Sequence, residues 1–221
     1  MKKYITLLFS IGLIMTSYAQ IGEASDPLAT KVLDKLKRKY DSFTSLEADF
    51  TLEMKLSGQD TETQNGKIVQ DGEMYLLSLA DQVIYNNGTY VWIHLKSNKE
   101  VQLSDADFEE ESEIMSPKDM LRIYESNEYI YAITDVRTED GKKLTEIEFK
   151  PLDRDSEYIK MRISINRKDN IMKKIAIFVR DGSKYTVSLE NIESNKTYDE
   201  KIFAFDKAAH PGVHVEDLRI D

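Results

Sequence analysis

Histidine is the side chain best suited to metal binding or acid–base chemistry near neutral pH, and this sequence contains 3 of them. His94 lies in a strand-like segment, and His210 and His214 lie four residues apart near the C-terminus. Four-residue spacing places two metal ligands on one face of a helix. Pro211 and Gly212 stand between these two histidines and prevent a helix there. We therefore predict no metal site.

The segment from residue 105 to residue 113 is a second candidate, because six of its nine residues are acids and carboxylates bind calcium. It lacks the Asp-x-Asp-x-Asp-Gly order of a calcium loop, so a solvated acidic loop is the better interpretation. The sequence also has no nucleophile-elbow motif and no glycine-rich phosphate loop. We predict no catalytic residue, no cofactor and no enzyme activity. One alternative is a secreted hydrolase with an unfamiliar site, which a serine- or metal-directed activity probe would label.

The N-terminus has the three-part pattern of a secretory signal peptide. Lys2 and Lys3 precede a mostly apolar run over residues 4–15, and Ser17-Tyr18-Ala19 supplies small residues at a cleavage site. We predict a signal peptide over residues 1–19, cleaved after Ala19, and a single periplasmic domain over residues 20–221. An uncleaved membrane anchor is the alternative.

Composition excludes further classes of protein. The chain contains 0 cysteines, so it forms no disulfide and has no cysteine to acylate. Its formal net charge of −10 becomes −12 when Lys2 and Lys3 are removed (−10 − 2). This charge argues against nucleic acid as a partner and against unaided binding to an anionic membrane.

Residues 45–57 alternate strictly between polar and apolar side chains. Successive side chains of a strand point to opposite faces, so this pattern predicts a long strand with one apolar face. The apolar positions are Leu46, Ala48, Phe50, Leu52, Met54 and Leu56.

The remaining elements follow from turn dipeptides and capping signals. Ser25-Asp26-Pro27 starts an amphipathic helix over residues 26–40. Residues 58–65 read as a polar turn, and Asp71-Gly72 and Asp181-Gly182 are two of several hairpin turns. These signals predict roughly ten strands with antiparallel connections and a coil-like C-terminal tail.

A short mid-chain helix is predicted to start at Ser116-Pro117 and to place Met120, Leu121 and Tyr124 on one side. A sheet of this size must curl or close. We therefore predict an α+β fold in which a strongly curved antiparallel sheet forms an incompletely closed β-barrel, or half-barrel. The N-terminal helix and the mid-chain helix would cover its concave apolar face.

Several methionines lie in or next to the apolar strand faces. Methionine is flexible and suits a surface that accepts ligands of varied shape, although an ordinary core position is the better interpretation of each residue taken alone. The methionines concerned are Met54, Met74, Met120, Met161 and Met172.

The order of these segments resembles the periplasmic outer-membrane lipoprotein carrier family, LolA. The resemblance rests on Ser-Leu-Glu-Ala-Asp-Phe-Thr-Leu-Glu-Met after the helix, Gly66-Lys67-Ile68, and Asn87-Gly88-Thr89-Tyr90-Val91-Trp92. The helix start at Ser116-Pro117 and the closing Ile202-Phe203-Ala204-Phe205 add to it. It covers nearly the whole chain after the signal peptide.

The resemblance implies a carrier that shields the acyl chains of lipoproteins in a hydrophobic cavity and takes them from the inner to the outer membrane. It also implies three partners: acylated lipoproteins or lipids, an inner-membrane ABC-type releasing complex and an outer-membrane acceptor. We expect a monomer. The residues predicted to bind lipid are Phe50, Met54, Trp92, Met120, Leu121, Tyr124, Ile163 and Phe178.

One feature of the family is missing. Its members carry an arginine, usually before a proline, in the strand after the Gly-led one, and this arginine helps to hold the lid. Here the corresponding segment reads Val69-Gln70-Asp71-Gly72. This departure leaves open how cargo is handed over, and whether the cargo is a lipoprotein or another lipid. The alternative function is a periplasmic sensor of the same fold, which binds a lipid or a regulatory protein, because its cavity would look the same in the sequence. Recovery of a membrane-bound regulator without acylated protein would favour it.

Overall fold

A computed structural model describes residues 24–106, 124–139 and 141–219. This part of the chain contains one α-helix, α1 (Pro27–Asp41), and twelve strands. The strands are β1 (Ser45–Lys55), β2 (Thr61–Asp71), β3 (Met74–Ser78), β4 (Gln82–Asn86), β5 (Tyr90–Leu95), β6 (Glu100–Asp105), β7 (Tyr129–Glu139), β8 (Lys142–Pro151), β9 (Tyr158–Asn166), β10 (Ile171–Val179), β11 (Lys184–Ser194) and β12 (His214–Asp217). Two 3-10 turns, Glu200–Phe203 and Lys207–Ala209, precede β12.

All twelve strands form one large curved sheet in the order β12-β6-β5-β4-β3-β2-β1-β11-β10-β9-β8-β7. The sheet is unclosed, because β12 and β7 stand at its two ends and do not pair with each other. Neighbouring strands are antiparallel except β12, which pairs with β6 in the parallel direction. The prediction of a large, curved, unclosed sheet with an N-terminal helix is confirmed.

Helix α1 forms where its capping residues predict it. The Asp26 side chain accepts a hydrogen bond of 2.8 Å from the Leu28 backbone N–H, and Pro27 occupies the first turn, where a missing N–H costs nothing. Residues at three- and four-residue steps then bury one side of the helix. The buried residues are Ala29, Val32, Leu33, Leu36 and Tyr40.

This buried side of α1 packs on one face of the sheet, which we call the inner face, and the opposite face is the outer face. Residues that pair across neighbouring strands lie on the same face of the sheet, so the strand pairing shows which residues of each strand belong to the inner face. The inner face and α1 together form the main core. The buried inner-face residues include Leu46, Ala48, Phe50, Ile68, Leu189, Ile175, Ile163, Met161, Ile147 and Phe149.

The outer face of β3 to β6 is covered by residues 196–219, which we call the C-terminal segment. Phe203 of its first 3-10 turn is fully buried, and that turn contacts β3 and β4. The Phe205 ring lies 5.9 Å from that of Tyr85 on β4.

Two sequence predictions need correction, and a third falls outside the residues that the structure describes. Residues 61–65 belong to β2 and not to a turn, because they pair with β1 as far as Thr61 opposite Lys55. Polar composition suggested a turn there, but backbone pairing with a long neighbouring strand outweighs it. The C-terminal tail is not all coil, because β12 adds a parallel strand to the edge of β6. The predicted mid-chain helix from Ser116 lies outside the described residues.

None of the helices in the described ranges has both the length and the apolar character that a membrane crossing needs.

Candidate functional site

Inner-face side chains become less buried along three neighbouring strands, β1, β11 and β10, and they do so towards the same side of the sheet. On β1, Phe50 is 8% exposed, whereas the next inner-facing residues, Leu52 and Met54, are half-buried. Leu189 on β11 and Ile175 on β10 are buried, and the inner-facing residues beyond them become half-buried in the same way. The main core therefore ends partway across the inner face.

The half-buried residues form a continuous apolar strip. Leu52 pairs with Val187, Met54 pairs with Tyr185, and Tyr185 pairs with Ile177, so the side chains are neighbours on one face. The apolar strip comprises Leu52, Met54, Ile177, Tyr185 and Val187.

Ile159, near the start of β9, is 49% exposed. It lies at an irregularity in the pairing of β9 with β10, between Lys160 opposite Phe178 and Tyr158 opposite Val179, so it is not counted in the strip. An apolar strip that is only half-buried can accept an apolar ligand from solvent, since burial of its side chains is incomplete.

Three predicted lipid-binding residues lie on the inner face. Met54 belongs to the apolar strip, Phe50 lies at the border between the strip and the core, and Ile163 is buried beneath α1. The structure brings the first two together and places Ile163 in ordinary core packing.

Tyr124 lies beside α1. Its hydroxyl donates a hydrogen bond of 3.2 Å to Asp34 Oδ1, and its ring lies 6.3 Å from that of Tyr131 on β7. Burial and the nearby charges of Asp34 and Glu125 raise the pKa of Tyr124. Tyr124 therefore stays neutral and ties the residues before β7 to the helix. Met120 and Leu121, predicted on the same helix, lie outside the described residues.

Trp92 and Phe178 are not on the inner face. Trp92 pairs with Tyr85, whose ring contacts Phe205 of the C-terminal segment, so it faces outward. Phe178 pairs with Lys160 and also lies on the outer face. Both residues stand in runs that are apolar on both faces, so alternation could not tell the two faces apart.

The surroundings of Phe178 are charged. Lys160, Arg162 and Lys184 lie 5.1–5.5 Å from its ring centroid. Burial raises the pKa of Glu148, but hydrogen bonds from Arg162 and Lys160 outweigh it and leave the pKa below its ordinary value. This outer patch is an ion-pair network around an aromatic ring and offers no apolar surface to a lipid.

Sequence reasoning did not select four members of the apolar strip. Leu52 lies on the apolar face that alternation predicts for β1, but alternation does not separate it from an ordinary core residue. The other three residues are identified by their pairing across the strands with Leu52 and Met54, and the sequence of one strand alone does not show that pairing. The four residues are Leu52, Ile177, Tyr185 and Val187.

A small cavity lies at the far end of α1, where the helix meets β1 and β2. Its volume of about 40 Å³ holds no more than a few water molecules, so it is not an acyl site. Its lining residues are Tyr40, Phe43, Thr44, Ser45, Leu46, Gln70 and Gly72. Within the described ranges there is no group of three or more metal-ligating side chains either.

The chain was compared with solved structures and with known protein sequences. A solved structure of an uncharacterized conserved protein from Thermus thermophilus is similar with a TM-score of 0.57, at 8% identity, over 86% of this chain and 99% of that one. A LolA superfamily protein from Nitrosomonas europaea matches with a TM-score of 0.42 and 13% identity, over 81% of this chain and 98% of that one. Lipoprotein LppX from Mycobacterium tuberculosis matches with a TM-score of 0.45 and 10% identity, over 79% and 100% of the two chains. Comparison with curated protein sequences found no match.

The sequence comparison is more specific than these structural likenesses. The family model described as outer membrane lipoprotein carrier protein LolA matches residues 41–206, which is most of the chain and includes β1 to β11. The resemblance inferred from the sequence is confirmed, and this chain belongs to the LolA family.

Proposed function

We propose that this protein is a periplasmic carrier that binds the acyl chains of lipoproteins on the inner face of its sheet and takes them from the inner to the outer membrane. It acts as a monomer without catalysis. An inner-membrane ABC-type complex loads it, and an outer-membrane acceptor receives the cargo. Membership of the LolA family supports this class of function.

The observation that carries the proposal is the apolar strip. Leu52, Val187 and their neighbours are only half-buried, although they continue the inner face on which the main core is built. A protein whose only need was a stable core would gain by covering them as well. An acyl chain that lies along the strip completes the burial of these side chains.

Incomplete cover also makes release possible. Burial of an acyl chain yields about 0.8 kcal/mol for each CH₂ group, so a fully enclosed long chain would be bound by on the order of 10 kcal/mol before costs. Such cargo would leave slowly. A strip whose side chains are only half-covered buries each chain only in part and allows transfer to an acceptor.

The test places a carboxylate on each face of the same strand. Val187 and Ser188 are adjacent on β11, but Val187 faces inward in the strip and Ser188 faces outward opposite Lys174. Val187→Glu puts a charge where the acyl chain must lie, and the charge is costly to desolvate there. We expect Val187→Glu to bind a fluorescent acyl probe at least about tenfold more weakly, and Ser188→Glu to bind it like the parent, because only the first charge meets the ligand.

Met54→Glu, nearer to the rim, repeats the test at a second position of the strip. Denaturant unfolding of each variant separates loss of binding from loss of fold. Unchanged probe binding by both strip variants would show that the ligand lies elsewhere. A parent protein that binds no acyl probe, and carries no lipid in native mass spectrometry after isolation from the periplasm, would reject the carrier function itself.

A further inference from the structure

The chain's 3 histidines lie in the C-terminal segment or against it. His94 is on β5, His210 follows the second 3-10 turn, and His214 is the first residue of β12. Lipid binding on the inner face uses none of them.

His94, Phe205 and His210 form a cluster of three rings. The His94 ring centroid lies 5.2 Å from that of Phe205 and 4.9 Å from that of His210, in both cases edge to face. Phe205 and His210 stack on each other at 4.9 Å. Phe205 and His210 belong to the C-terminal segment, so the cluster joins this segment to the sheet.

His94 is deeply buried in this cluster. It is 5% exposed, and its Nδ1 atom has no hydrogen-bond partner in the described part of the chain. Its neighbours across the strands are Val83 on β4 and Val101 on β6, both apolar and buried. A positive charge at this position would lose its hydration without gaining a partner.

The other titratable groups around His94 do not compensate such a charge. Lys96, which follows β5 directly, and His210 both oppose such a charge when they are charged themselves. Lys96 donates hydrogen bonds to the Leu79 and Ala80 carbonyls. Tyr85 on β4 is neutral near and below pH 7, since burial raises its pKa. Among the described residues, His94 forms no salt bridge with a carboxylate.

We propose that His94, Phe205 and His210 form an acid-sensitive clasp, which holds residues 204–219 on the outer face and opens when the His94 imidazole takes a proton. Opening uncovers the outer face of β4 to β6 and frees the edge of β6, to which β12 pairs over only four residues.

The direction of the pH effect follows from burial. Burial lowers the pKa of His94, and the nearby His210 and Lys96 charges lower it further. The open state, in which His94 is exposed, has the ordinary histidine pKa of about 6.5 and binds the proton more readily. The clasp is therefore stable above about pH 6.5 and weakens as the pH falls below it.

The first part of the C-terminal segment has a separate anchor. Glu47 on β1 accepts a hydrogen bond of 2.6 Å from the Tyr198 hydroxyl and pairs with Lys196 at 3.3 Å. Phe203 is fully buried. Since neither anchor includes a histidine, residues 196–203 stay in place when the clasp opens.

Hydrogen exchange at pH 7.5 and pH 5.5, corrected for the intrinsic rate, tests the clasp on the full chain. We expect amides of residues 204–219 to exchange faster in acid, by up to about tenfold for each pH unit below 6.5, while residues 198–203 stay unchanged. Trp92 is the chain's 1 tryptophan and faces outward on β5, so its emission should shift with the same pH dependence.

His94→Phe keeps a ring in the cluster but cannot take a proton, and we expect it to abolish the acid response. His94→Leu serves the same purpose if the phenylalanine variant does not fold. His214→Gln is the matched control and should retain the response, because the His214 side chain is 70% exposed. The proposal would be overturned if amides of residues 204–219 in the parent exchanged at the same corrected rate at both pH values. It would also be overturned if a folded His94 variant kept the acid response.

Discussion

At the scale of single residues, Phe50 and Gly66 show how closely the inner face is packed at the border of the main core. The two residues face each other across β1 and β2, and a Cβ atom on Gly66 would overlap the Phe50 ring and lie 2.7 Å from the Ser78 carbonyl oxygen. Glycine at this position lets the ring lie directly on the β2 backbone, which is a common role of glycine inside a strand.

We predict that Gly66→Ala destabilises the protein by about 1–3 kcal/mol, because the added methyl group displaces the Phe50 ring from a packed position. Phe50→Leu in the same chain should recover part of this loss, since the smaller side chain makes room. Denaturant unfolding of the two single variants and the double variant measures this coupling. Strictly additive losses would show that the ring does not rest on Gly66.

At the scale of elements, Glu47 joins three parts of the chain that are distant in sequence. It faces outward on β1 and pairs with Lys67 on β2 at 2.5 Å, in addition to its contacts with Lys196 and Tyr198 of the C-terminal segment. Hydrogen bonds from Lys67, Tyr198 and Lys196 lower the pKa of Glu47 to about 2. The charged form of this carboxylate therefore holds the start of the C-terminal segment on the sheet.

Glu47 stabilises the protein only while its carboxylate is charged, so its contribution to the unfolding free energy decreases as the pH falls. A carboxylate with a lowered pKa contributes stability above its ordinary pKa of 4.5, and this stability is lost as the pH falls towards 2. We predict that the parent loses more unfolding free energy between pH 5 and pH 3 than Glu47→Gln does. Glu53→Gln, an exposed residue on the same face of β1, is the control and should keep the parent's pH profile. Identical profiles for all three proteins would exclude this role of Glu47.

At the scale of the whole molecule, one open sheet has two covers on opposite faces. Helix α1 covers part of the inner face and leaves the apolar strip, whereas the C-terminal segment covers the outer face of β3 to β6. The two covers do not share a strand face, so the proposed cargo site on the inner face and the proposed clasp on the outer face use different contacts. Both proposals require a chain that reaches the periplasm.

Export should remove residues 1–19. The small residues Ser17 and Ala19 flank the position where a signal peptidase cleaves, so we predict that exported protein begins at Gln20. N-terminal analysis of protein isolated from the periplasm measures this directly. A chain that still begins at Met1 would indicate an uncleaved anchor.

The local part of the structure was determined by the sequence alone. The cap at Asp26, the alternation of β1 and the turn dipeptides act over a few residues, so α1, most of the strands and the open antiparallel sheet could be predicted. Met54 could be placed on the inner face for the same reason. Family membership could be inferred as well, because its motifs lie in these local segments.

Tertiary structure alone decided the rest. Trp92 and Phe178 lie in strands with apolar side chains on both faces, so their outward direction depends on pairing with distant strands and on the C-terminal segment. The parallel pairing of β12 and the burial of His94 likewise join residues more than 100 positions apart. Such contacts depend on which surfaces remain uncovered after the sheet has formed, and no local pattern in the sequence records that.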